Sequence, residues 1–101
     1  MEIKSLGRII AERKLINRSQ PWKEVIIRVG QPQPFGDLQD YVCPFQVLGL
    51  GDEKIRYACG VDGIQALQLS LDVLRAYVNS REEVKAGLVS WEGDESGDLG
   101  F

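Results

Sequence analysis

The chain of 101 residues contains no histidine. Acid–base catalysis near neutral pH most often uses an imidazole, and a Ser or Cys nucleophile without one lacks its usual activator. Cysteine is scarce as well, with Cys43 and Cys59 the only two. Two thiols without histidine fall short of the four Cys/His ligands of a structural zinc site, and their spacing is not Cys-x-x-Cys. No cofactor or metal is expected. Basic residues are outnumbered, 12 Lys and Arg against 15 Asp and Glu, for a net charge of −3. They are also interleaved with acids, as in Glu12-Arg13-Lys14 and Asp52-Glu53-Lys54. A phosphate backbone needs a basic face, so no nucleic-acid partner is expected. Long apolar runs are missing too. Ile9-Ile10-Ala11 gives way at once to charge, far short of a signal-peptide core, and nothing approaches the ~20 residues of a membrane span. A cytoplasmic protein with no membrane partner is the expectation. Four prolines and a 44% hydrophobic content argue against disorder.

What is present is enough for a single α+β domain spanning residues 1–101. Ile9–Ile16 reads as a first strand, with Ile9, Ala11 and Leu15 on one face and Arg13 interrupting it. Trp22–Val29 is a clearer strand, because Val25, Ile27 and Val29 alternate with Glu24, Ile26 and Arg28. Residues 30–40, with Pro32 and Pro34, read as a loop. Tyr41–Leu48 is a third strand with Tyr41, Cys43, Phe45 and Val47 on one face. Pro44 marks it as an edge or a bulge. Gly49–Glu53 supplies a hairpin turn, and Lys54–Cys59 a fourth strand with Ile55, Tyr57 and Cys59 facing the core. In that register Cys43 and Cys59 stand nearly opposite each other as small buried hydrophobes.

Asp62 then caps a helix, with Gln65 three residues on completing a capping box. Ile64, Leu67, Leu71, Leu74 and Val78 form its expected apolar stripe, set opposite Gln65, Gln68, Asp72, Arg75 and Asn79. A fifth strand is expected within Ala86–Trp91. The fold expected is therefore an antiparallel sheet of four to five strands, ordered β-β-β-β-α-β, with one long helix packed on one face.

No constellation of reactive groups stands out. Asp94–Asp98 has the wrong order and length for a calcium loop. Gly49-x-Gly51 precedes a strand rather than a helix, unlike a dinucleotide fingerprint. Gly60 and Gly63 near the helix start would suit a phosphate, but Asp62 would repel it. Asp52 and Asp62 have simpler roles in a turn and a cap. Two candidate surfaces remain. One is an interface of Trp22, Ile26, Trp91 and Phe101. Trp22 and Ile26 lie on the sheet face away from the helix, which either the C-terminal segment or another chain must cover. The other is a polar site of Asp37, Asp40, Glu92 and Asp98, built from the 30–40 loop and the acidic tail.

Five strings, Y-x-C-P-F at Tyr41–Phe45, G-L-G-D-E at Gly49–Glu53, R-Y-A-x-G-V-D at Arg56–Asp62, Q-A-L-Q-L at Gln65–Leu69 and G-D-L-G-F at Gly97–Phe101, are similar to a small bacterial family of hypothetical proteins. That family is a domain of unknown function of about this length. The resemblance implies a bacterial, intracellular, stand-alone domain with an ordered tail, and it brings no activity or site residues. The function expected is a non-catalytic binding or interaction module with a protein partner or a homodimer. The alternatives are a small enzyme or ligand binder using the 30–40 loop and tail, and an immunity-type inhibitor of a toxin.

Overall fold

The alternation of Val25, Ile27 and Val29 with polar neighbours produces a strand at Lys23–Gly30 (β2). In the computed structural model, which describes residues 3–19, 22–36, 40–91 and 96–101, those three side chains are buried. β2 forms an antiparallel hairpin with Ile9–Asn17 (β1), which places Leu15 beside Val25 and Arg13 beside Ile27. Antiparallel partners share a face. Arg13 therefore does lie on the inward face of β1.

The 30–40 stretch, expected as a loop, contains a short strand, Gln33–Phe35 (β3), paired with the start of Asp40–Leu48 (β4). β2 pairs with the end of the same strand. Between Val29↔Phe45 and Gln33↔Val42, the β2–β3 side advances one residue more than β4. β2 and β3 are thus one line of chain interrupted by a bulge. Pro34 is tolerated there because β3 pairs only with β4 among the described residues.

Arg56–Gly60 (β5) pairs with Tyr41–Phe45 of β4. It shares Tyr41 and Val42 with β3, and Phe45 with β2, so β5 must occupy the opposite edge of β4. Val89–Trp91 (β6) pairs antiparallel with the far edge of β1. Across the sheet the order is β5, β4, β2 with β3, β1, β6. The α+β architecture and the β-β-β-β-α-β order hold, with β3 added.

The phase of β5 differs from expectation. Ala58 stands opposite Cys43, whereas Tyr57 stands opposite Pro44 and Cys59 opposite Val42. Tyr57 and Cys59 therefore point away from the helix, and the two cysteines lie on opposite faces. Cys43 is buried and Cys59 exposed. Burial pushes the Cys43 thiol pKa up, against the opposing effect of Ser70.

Asp62 begins the long helix Gly63–Asn79 (α1), and its carboxylate accepts the Gln65 N–H at 2.8 Å. Gln65 reaches back to accept the Val61 N–H at 2.8 Å, closing the capping box one residue earlier than usual. α1 lies over β4 and β5. The buried face is Ala66, Ser70, Leu74 and Val78, with Leu67 and Tyr77 half-buried. Of the expected stripe, Ile64 is 71% and Leu71 43% exposed. The physical reason is close approach. A Cβ on Gly60 would lie 2.5 Å from the Ala66 nitrogen, and the Ser70 hydroxyl donates to the Cys43 carbonyl at 3.0 Å. Small residues face the sheet because the helix sits down on strand backbone.

A one-turn helix, Glu82–Lys85 (α2), leads into β6. On the outer face of the sheet, Ile3–Gly7 runs alongside β3 and Val42, and Leu6 is buried. This N-terminal segment, rather than the C-terminal one, covers part of the face opposite α1.

Candidate functional site

One helix about 10–12 Å across cannot cover a sheet whose strands stand ~4.8 Å apart and which is five strands wide. Because α1 sits over β4 and β5, the inward face of β1 and β2 is left to the C-terminal tail. The tail enters from β6 and buries Leu99 in the main core. Its anchor is Arg13. One guanidinium nitrogen, Nη1, donates to the Leu99 carbonyl at 3.2 Å and to the Gly100 carbonyl at 2.8 Å. The same group lies 4.5 Å from the Trp91 ring centre and 5.3 Å from that of Phe101, a geometry of cation–π attraction. A Cβ on Gly100 would lie 2.7 Å from Arg13 Nη1 and 2.9 Å from Trp91. Glycine there allows the backbone to press onto both groups.

Between the tail and α1 runs a groove of about 320 Å³. Ala11, Ile27 and Val29 form its floor. Leu71, Leu74 and Arg75 of α1 make one wall, and Arg13 with Phe101 the other. The surface is mainly apolar, with two guanidinium groups, Arg13 and Arg75, and two carboxylates, Glu12 and Asp72, at the rim. Arg13 is committed to the tail. Arg75 is exposed and only loosely held by Asp72, at 3.4 Å. The Glu12 carboxylate is bonded to Arg28 at 2.9 Å.

A second cluster lies at the C-terminal end of α1, on its other flank. Arg56 makes a two-pronged pair with Asp52, at 2.8 and 3.0 Å. Its guanidinium stacks 3.9 Å from the Tyr77 ring, which Arg81 also approaches at 4.7 Å. The hydrogen bond from Arg56, reinforced by the Lys54 N–H, lowers the Asp52 pKa from 3.8 to about 2. All of these groups are satisfied by one another. The cluster ties the turn before β5 to the end of α1.

The residues expected at an interface separate into two pairs. Trp22, 64% exposed, precedes β2. Ile26 is half-buried on the outer face between Lys14 and Leu48. Trp91 and Phe101 lie on the inward face, beside Arg13. In the candidate polar site, Asp37 and Glu92 fall outside the described residues. Asp40 opens β4 opposite Phe35, and Asp98 accepts the Gly100 N–H at 2.8 Å. Neither lines the groove. No group of three or more His, Cys, Asp or Glu side chains is placed to hold a metal ion among the described residues. No described helix is long and apolar enough to cross a membrane. The groove itself was not anticipated from the sequence. Its one visible signal is Arg13, a cation on an otherwise apolar strand face.

A domain of unknown function (DUF6968) matches residues 11–101, and the chain belongs to that family. No curated protein and no solved structure matches it.

Proposed function

We propose that this member of the family is a non-catalytic binding module, which takes an apolar side-chain cluster of a partner protein into the groove between α1 and the β1–β2 face. The observation that carries this reading is the lining. Ile27, Val29, Leu71, Leu74 and Phe101 present apolar surface around about 320 Å³ of space. That volume lies at the small end of ligand sites, which run from about 300 to 1,000 Å³. It suits the anchor residues of a peptide better than a large cofactor. Arg75 at the rim, with its weak hold on Asp72, favours a carboxylate flanking the apolar anchor. Acid–base or nucleophilic chemistry finds no support, since the two carboxylates of the lining, Glu12 and Asp72, are each paired with an arginine and no thiol lines the groove.

The test is selection of binders from a displayed random-peptide library, followed by amide-shift mapping with the best synthetic peptide. Apolar peptides bearing an acid should shift the amides of Val29, Leu71 and Arg75. The substitution Leu71→Arg should weaken binding by roughly tenfold or more, about 1.4 kcal/mol. Binders that map instead to the outer face around Trp22, and that are indifferent to Leu71→Arg, would overturn the reading.

A further inference from the structure

Among the described residues β5 is one of the two end strands of the sheet, the other being β6. β5 pairs with β4 on one edge, and no other described residue pairs with it. An open edge presents unpaired N–H and C=O groups and is a template for another strand. We infer that β5 is the site of homodimerisation: two copies join antiparallel through Arg56–Gly60 about a two-fold axis at Ala58, making one continuous sheet with both helices on the same side.

Three features support a second copy of this chain as the occupant. The first is self-complementarity, which a two-fold interface requires. Centred on Ala58, the pairing sets Ala58 against Ala58, Arg56 against Gly60 and Tyr57 against Cys59. Arg56 is the only charge in the strand and meets a glycine, so no like charges face each other.

The second is the position of the helix. α1 lies over both β4 and β5. Placed midway between them, with strands ~4.8 Å apart, it would stand about 10 Å from its two-fold copy, within the usual helix–helix packing range.

The third is the surface that faces the axis. Leu71, Leu74 and Arg75 look toward the groove over β1 and β2. At 100° per residue, Leu69, Val73 and Ala76 fall on the opposite flank, the one overhanging β5. Leu69 and Val73 are 41% and 42% exposed. They also stand at the right height. Gly60 lies beneath Ala66, and the Arg56 guanidinium against Tyr77, so Ala58 sits under the middle of α1. In the dimer, Leu69 and Val73 of the two copies cover each other.

The experiment is sedimentation equilibrium on the full chain and two variants. Val73→Arg puts a charge from each copy at the axis. Leu71→Arg makes the same change on the other flank and destroys the groove. Both positions are exposed, and circular dichroism checks that each variant is folded. The expected result is a mass twice that of one chain for the wild type and for Leu71→Arg, and a single-chain mass for Val73→Arg. As a second readout, Tyr57→Cys should give a disulfide-linked dimer with the partner copy's native Cys59 under mild oxidation. A monomeric wild type at millimolar concentration, a dimeric Val73→Arg, or a Tyr57→Cys chain that stays unlinked overturns the inference. None of these results bears on peptide binding in the groove.

Discussion

Replacing Arg13 with methionine keeps the aliphatic stem against Trp91 and removes the charge that holds the tail. The loss can be estimated from the contacts. One of the two hydrogen bonds, to the Leu99 carbonyl, is partly buried, and the other, to Gly100, is exposed. A hydrogen bond from a charged donor contributes about 1.5–3 kcal/mol when buried. Counting the exposed one as minor leaves about 1.5 kcal/mol. The stacking on Trp91 and Phe101 adds about 0.5–1 kcal/mol for each ring at exposed sites. The expected destabilisation is about 2.5–3.5 kcal/mol. For a domain of this size that is a fall in Tm of roughly 10 °C or more. Urea unfolding followed by circular dichroism measures it. The test of mechanism is a double-mutant cycle with Leu99→Ala, a buried truncation expected to cost about 2–3 kcal/mol on its own. If both residues act by docking the tail, removing one leaves little for the other to hold, and the double variant should cost little more than the larger single change. Additivity within about 0.5 kcal/mol, the behaviour of independent sites, would refute a shared tail. Amide exchange of Leu99 and Phe101 should accelerate in Arg13→Met, while that of Phe45 and Val47 follows global stability.

The remaining predictions concern the scaffold. Gly60→Ala forces a methyl against the backbone of Ala66 and Gln65, at 2.5 and 2.9 Å. It should destabilise by about 1–3 kcal/mol, as overpacking does, and a urea midpoint unchanged from wild type would show that α1 can lift. Asp52, with its carboxyl lowered from 3.8 to about 2, stabilises the folded state above pH 4, and this contribution is lost as pH falls toward 2. A carboxyl-carbon titration by NMR should give the low midpoint in the native chain, and Arg56→Met should raise it toward the ordinary range, with the Lys54 N–H still holding it down in part. Under native conditions a small alkylating reagent should modify Cys59 and spare Cys43, which is buried and whose thiol pKa is raised. Peptide mass mapping that finds both labelled at equal rates would contradict the placement of Cys43.

Where local chemistry decides structure, the sequence is a good guide. The alternation in β2, the turn before β5 and the Asp62 cap are all set by residues within four positions of one another. Elements fixed by distant partners are harder to read. The phase of β5 follows from its register with β4, which sets Tyr57 opposite Pro44. Ile55, the residue that suggested the other phase, lies just before the strand. β3 contains Pro34 and exists because β4 offers it an edge beyond the bulge. α1 is apolar on three sides, so hydrophobicity alone does not choose among them. Steric fit does, and it selects Ala66 and Ser70 over Ile64 and Leu71 because Gly60 and the Cys43 carbonyl sit directly beneath. The groove was illegible for the same reason. It depends on where the helix stands on the sheet, and on a tail whose anchor lies some 86 residues away in sequence.

The apolar residues that Ala66 and Ser70 displace from the sheet are left exposed on the flanks of α1. A helix centred on β4 would shelter its flanks evenly and cover β5. Set over β4 and β5 instead, α1 turns one apolar flank to the uncovered β1–β2 face and the other past the open edge of the sheet. Leu71 on the first flank and Val73 on the second are almost equally exposed, at 43% and 42%, yet they face different surroundings, the groove and the edge of the sheet. In a monomer with no ligand, both would carry the cost of hydrating leucine and valine side chains with no compensating contact. Polar substitutions at either position should therefore leave the stability of the isolated chain nearly unchanged, within about 0.5 kcal/mol as for ordinary surface sites. At matched dimer occupancy they should separate the two surfaces, with Leu71→Arg removing peptide binding and Val73→Arg removing the second copy. If Leu71→Arg and Val73→Arg unfold the chain instead, these flanks belong to its core, and the displacement of α1 is not what creates its binding surfaces.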